Sequence, residues 1–201
     1  MEEDLKLVNR IASAFASPFD ALKCLCVDMD GKNLKLFLHQ YLGEHDWSTE
    51  VHDALNQAPD PAKLVLDTMP GFLRPQVGFH KSLSKPRVRK SCILLLEQLM
   101  IISPWISPKE REEALKLADE WRLKLGQIYQ SPVIAYGFLL FLAAYRMNSK
   151  YEVDELLRIL EIASQYKASP GLCHALGLAD KVEGEKIQNT QLHYMAISFV
   201  F

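Results

Sequence analysis

Val133-Ile134-Ala135-Tyr136-Gly137-Phe138-Leu139-Leu140-Phe141-Leu142-Ala143-Ala144-Tyr145 is an unbroken apolar run, and no helix built from it has a polar face to turn toward water. Thirteen residues reach only about 20 Å as a helix, against roughly 30 Å of bilayer hydrocarbon. Polar or charged residues follow at Arg146, Asn148 and Lys150. The run is therefore expected to be a central core helix, buried nearly all round, and not a membrane span.

Start signals frame that helix and the one before it. Ser131-Pro132 precedes the run, and Ser107-Pro108-Lys109-Glu110 opens its predecessor. A serine hydroxyl can accept from an orphan backbone N–H, proline at the first helical position lacks only a donor that has no partner there, and Glu110 completes a capping box. Ala114, Leu117, Ala118, Trp121 and Leu125 then recur at helical spacing, with Glu112, Glu113, Lys116, Glu120 and Lys124 mainly opposite.

The same grammar runs through the rest of the chain. Leu5, Val8, Ala12 and Phe15 form one stripe, and Ser17-Pro18 starts a helix that Asp30-Gly31 breaks. Leu34, Phe37, Leu38 and Tyr41 precede a stop at Gly43. Ser48 is expected to cap the helix bearing Val51, Ala54 and Leu55, and Asp60-Pro61 caps one that ends at Pro70-Gly71. Val88, Cys92, Leu95, Leu99 and Ile102 mark a longer helix closed by Ser103-Pro104, with Trp105-Ile106 as connector. Val153, Leu156, Leu157, Leu160 and Ala163 follow, and Ser169-Pro170 opens a short helix stopped by Gly177. No period-two alternation is long enough for a sheet. The fold class is all-α, an irregular array of packed antiparallel helices. Helix starts are unevenly spaced and no wording recurs, which argues against a strict repeat.

With 201 residues, 49% hydrophobic and 24% charged, the chain is large enough for one substantial core, and a single domain over 1–201 is expected. A net charge of −2 exerts no global pull toward nucleic acid or anionic lipid. The start Met1-Glu2-Glu3-Asp4 is acidic where a secretory signal is basic and then apolar, so a soluble intracellular protein is expected. Cys24, Cys26, Cys92 and Cys173 form no CxxC pair and suit a reducing compartment.

Motifs for chemistry are thin, and no catalytic, metal or cofactor site is assigned. There is no G-x-S-x-G, no glycine-rich phosphate loop and no H-E-x-x-H. Cys24-Leu25-Cys26 lacks a second ligand pair, and Asp28-Met29-Asp30-Gly31 misplaces the glycine of a calcium loop. Adjacent Cys173 and His174 would point about 100° apart on a helix, a poor thiolate dyad. Five serines precede prolines, at 17, 103, 107, 131 and 169. They read either as proline-directed phosphorylation sites or as helix punctuation, and the second reading is preferred because each sits where a helix starts or stops.

One charge feature stands out. No acidic residue lies between Asp67 and Glu97, while Arg74, Lys81, Lys85, Arg87, Arg89 and Lys90 accumulate there. This strip could serve nuclear import or contact an acidic partner or phosphate, against the plainer reading of a solvated loop leading into a helix. The plainer reading is preferred, because the cations are spread out and no aromatics interleave for base stacking.

Several stretches of wording are similar to the FRIGIDA family of plants: residues 58–67 (Ala58-Pro59-Asp60-Pro61 onward), Pro104-Trp105-Ile106, residues 113–121 ending in Trp121, residues 135–142, and Ala175-Leu176-Gly177-Leu178-Ala179-Asp180-Lys181. The match is strongest over 24–181. The resemblance implies an all-helical, non-enzymatic nuclear scaffold that regulates flowering time and development through other nuclear proteins of a transcription-regulating assembly. It implies no small-molecule substrate, membrane or direct nucleic-acid partner. Members usually carry coiled-coil segments outside this domain, whereas this chain begins just before it and ends at Phe201. Residues 182–190 depart from the expected helix, and 196–201 resemble a later family segment. A shortened member with an unfilled apolar surface near its C-terminus is expected.

Two further readings stay open: a nucleic-acid-binding module using 74–90, and an enzyme centred on Cys173 and His174. On the scaffold reading the aromatics Trp105, Trp121, Tyr136, Phe138 and Phe141 are expected in the core, leaving exposed residues to carry function.

Overall fold

The computed structural model of this chain describes residues 6, 10–11, 13–43, 45–70, 72, 85–124, 126, 130–167 and 169–181. Among these residues the structure is helical, with no strand. The stripe expected over Leu5 to Phe15 and the segment 182–201 fall largely outside them, as does Leu125.

Local chemistry sets most of the helix starts. α1 (Pro18–Val27) begins where Ser17 Oγ accepts from the Asp20 amide at 3.2 Å. A tight turn through Met29, at φ 57°, leads to Asp30, whose carboxylate caps α2 (Gly31–Tyr41) through the Asn33 amide at 3.1 Å. A side chain is excluded at Gly31, since a Cβ there would lie 3.2 Å from the Leu64 carbonyl and 3.3 Å from Asp67 Cβ.

α3 (Ser48–Leu55) departs from the expected start. Trp47 occupies the capping position, and Ser48 is the first helical residue, its amide and hydroxyl both donating to Asp46 Oδ1. The reason is tertiary: buried Trp47 donates from Nε1 to the Tyr41 carbonyl at 3.2 Å and packs edge-on against Phe37, which fixes where the helix enters.

Asp60 caps α4 (Pro61–Thr68), accepting from the Lys63 amide at 2.8 Å. α5 (Lys85–Ile102) is closed by Ser103 at φ 49°. α6 (Pro108–Arg122) carries the full capping box, with the Ser107 amide donating to Glu110 at 2.9 Å and the Glu110 amide donating to Ser107 Oγ at 3.2 Å. At α7 (Pro132–Ala144) Ser131 holds the capping position, but its side chain makes no capping bond. After a 3-10 turn (Asn148–Lys150) come α8 (Val153–Ser164) and α9 (Pro170–Ala175), capped by Ser169 and followed by Gly177 at φ 70°.

α5 and α7 form the central pair. α7 also packs on α6, α8 and α9, which accounts for its lack of a polar face: every residue from Ile134 to Ala144 is buried. α5 meets α2, α3 and α4, while α1 lies on α2 and α3. Burying each large aliphatic or aromatic side chain in such a core contributes about 1.5–3 kcal/mol. Among the described residues no helix is long and apolar enough to cross a membrane.

Trp121 stacks on Phe72 at 5.0 Å and lies 4.8 Å from the Phe141 ring, and both Tyr136 and Phe138 are buried. Trp105 departs from its expected place in the core, being 76% exposed. The connector after α5 is not helical, and within it Ile106 takes the buried position while Trp105 faces outward.

Candidate interaction surface

The basic strip is only partly assembled as a surface. Arg74 and Lys81 lie outside the described residues, and Lys85 is described in its backbone alone as the first residue of α5. Arg87 and Lys90 are exposed three residues apart, hence neighbours on one helical face. Arg89 is half-buried and donates from Nε to the Phe72 carbonyl at 3.3 Å, and burial pulls its pKa below the ordinary value. It acts as a structural tie. Burial, and then the charge of Arg87, hold His39 on α2 below its usual value.

Other charged side chains mainly bind helices together. Lys35 Nζ donates to the carbonyls of Thr68 and Pro70 at the C-terminal end of α4, where a cation also complements the helix dipole. Lys63 joins α4 to α6 through Glu113 at 2.9 Å and pairs with Asp67 at 2.8 Å. The caps of α4 and α6 also meet. Burial raises Asp60, whereas Glu110, pushed up by burial, is held lower overall by Ser107 and by its bond with Asp60.

Cys173 and His174 occupy consecutive positions on α9, so they do not share a helical face. Among the described residues no group of three or more His, Cys, Asp and Glu side chains could hold a metal ion. Burial raises Cys26 to about 12 and Cys92 to about 11, which marks both as inert core thiols.

The apolar exposure lies elsewhere. Trp105 is joined by Ile101, 61% exposed on the last turn of α5. The backbone beneath the tryptophan is pinned: Arg146, which follows α7 at φ 55°, brings Nη2 to 3.1 Å from the Ser103 carbonyl, 2.9 Å from Ser103 Oγ and 3.1 Å from the Pro104 carbonyl. The ends of the two central helices are bolted together, and Trp105 projects from the bolt. Leu123, 88% exposed after α6, is a separate apolar point.

Sequence reasoning passed over Ile101 and Leu123. Ile101 falls off the Leu95-Leu99-Ile102 stripe, and Leu123 sits between Arg122 and Lys124, so each carried a usable signal of an apolar residue out of phase with its helix. Arg146 carried none, because its partners lie more than 40 residues away.

A family model described as Frigida-like protein matches residues 16–201. The chain is similar to truncated FRIGIDA-like protein 1 of Arabidopsis thaliana, at 31% identity over 83% of the chain and 58% of that relative. It is also similar to FRIGIDA-like protein 5 of Arabidopsis thaliana, at 31% identity over 77% of the chain and 16% of the relative. Protein FRIGIDA of the same plant is 25% identical over 88% of the chain and 31% of its own length. The chain thus spans less than two thirds of each of these relatives. No solved structure matches.

Proposed function

The chain belongs to the Frigida-like family, and from that premise we propose that it is a non-enzymatic scaffold or adaptor, acting in the nucleus through protein-protein contacts in assemblies that regulate transcription, flowering time and plant development. The observation that carries this reading is Trp105, a tryptophan 76% exposed on a pinned backbone. Tryptophan is enriched among the few residues that dominate binding energy, because it removes a large area from water while fixing few torsions. A support already held by Arg146 lowers the ordering cost of docking further.

A second reading, nucleic-acid binding through residues 74–90, is favoured by exposed Arg87 and Lys90 near the start of α5. Cations at that end oppose the helix dipole, so they do not stabilise the helix.

Affinity capture from plant nuclear extract by the full chain, with and without nuclease, compares the two. The scaffold reading expects proteins retained after nuclease but lost with Trp105→Ala, a variant expected to keep the wild-type melting midpoint because the side chain is exposed. Proteins released by nuclease would transfer the function to the basic strip. Retention indifferent to Trp105→Ala would remove this tryptophan from the contact surface.

A further inference from the structure

The five serines that precede prolines are divided by the fold according to what their hydroxyls do. Ser17, Ser107 and Ser169 accept from the amides of Asp20, Glu110 and Leu172 at the starts of α1, α6 and α9. Ser131 makes no capping bond and is half-buried at the start of α7. Ser103 alone of the five is exposed. It follows a helix instead of starting one, opens the non-helical connector 103–107, and holds a left-handed backbone at φ 49°. Its hydroxyl oxygen accepts from Arg146 Nη2 at 2.9 Å.

We propose that Ser103 is a phosphorylation site for a proline-directed protein kinase, with Arg146 as the group that receives the phosphate. Ser103 Oγ attacks the γ-phosphorus of ATP, the bond from that phosphorus to the bridging oxygen breaks, the hydroxyl proton passes to the kinase's carboxylate base, and ADP leaves. Such a kinase takes an extended segment with proline directly after the serine, and the non-helical Ser103-Pro104-Trp105 connector reaches one by a change at Ser103 alone, without unwinding a helix. Leaving the left-handed region relieves strain for a residue other than glycine. The three capping serines have to give up their N-caps first.

The product fits its surroundings in a particular way. A phosphate carrying close to two negative charges beside a guanidinium forms charge-assisted, bidentate hydrogen bonds. The C-terminal carbonyls of α5 repel the same anion, so Arg146 turns from the Ser103 and Pro104 carbonyls to the phosphate. That releases the bridge beneath Trp105. The effect on docking rests on the scaffold reading, whereas the modification itself does not.

The full chain, folded and incubated with a cyclin-dependent kinase and separately with a mitogen-activated kinase in Mg-ATP, provides the test, with sites mapped by mass spectrometry. The expected result is Ser103 modified at least about fivefold faster than Ser17, Ser107 or Ser169, the factor by which a typical cap bond depletes the uncapped state. Equal or faster modification of those serines or of Ser131, or an unmodified Ser103, overturns the proposal. Phosphorus NMR titration then tests the receptor. The phosphate is expected to titrate at lower pH in the wild type than in Arg146→Gln, with Arg146→Lys between them, and identical titrations in all three overturn the role of Arg146.

Discussion

Gly137 has the tightest surroundings of the described glycines. A Cβ at that position would fall inside the van der Waals shell of Phe72 Cζ and lie 3.0 Å from Cε1 and Cε2, and the ring has nowhere to go because it is buried and stacked on Trp121. Gly137→Ala gains helix propensity but forces the stack apart, a net cost expected at about 1–3 kcal/mol, which a urea denaturation midpoint would show. The tryptophans divide in the same terms. Trp121→Ala should cost about 3–5 kcal/mol because it opens a cavity among Phe72, Phe138 and Phe141. Trp105→Ala should leave the midpoint within about 0.5 kcal/mol, since it removes atoms already in water. Equal losses for the two would contradict the outward placement of Trp105.

Among the elements, α6 and α5 make contrasting uses of charge at their starts. The capping box of α6 places Glu110 where Ser107 and the helix dipole stabilise its ionised form. A carboxyl held below its unfolded value adds stability above that value and loses it as pH falls through the folded one. Asp60, raised chiefly by burial, acts in the opposite sense, its contribution being lost as pH rises through its folded value. Melting midpoints of Glu110→Gln should therefore fall less than the wild type's when pH drops below 4.5, the ordinary value for a glutamate. If the two acid limbs superimpose, the cap does not depend on the carboxylate charge. In α5 the first turn carries no acidic residue. Arg87→Glu should then stabilise the fold by roughly a few tenths of a kcal/mol. It should also raise the His39 pKa by replacing a repulsive neighbour with an attractive one. Proton NMR of the imidazole reads the second effect, and an unmoved His39 would separate it from the strip.

At the scale of the whole molecule, long-range ties bind α4 and α5 to the elements from α6 onward. The buried Tyr145 hydroxyl donates to the Ala62 carbonyl at 2.8 Å, Lys63 bridges to Glu113, and Glu97 on α5 accepts from both Tyr136 and Lys167. A chain joined this way should unfold as one unit. In a Trp105→Phe background, fluorescence from Trp47 and Trp121 and the far-ultraviolet circular dichroism should share a single transition. Separate midpoints would show that the two sides unfold independently.

Much of this architecture was legible in the residues alone, because capping acts over three positions and amphipathic burial repeats every turn. The caps at Ser17, Asp60, Ser107 and Ser169, the left-handed stop at Gly177 and the all-round burial of α7 all follow from such short-range rules. Tertiary contacts decided the rest. Whether Trp105 or Ile106 turns inward depends on how Arg146, 42 residues beyond Pro104, anchors the connector. The start of α3 depends on Trp47 reaching Tyr41, and the engagement of Arg89 depends on the Phe72 carbonyl. By itself the sequence determined where most of the helices begin and end, since those bonds close within one turn. Which side chains are left for other molecules was decided by partners brought close only when the helices pack.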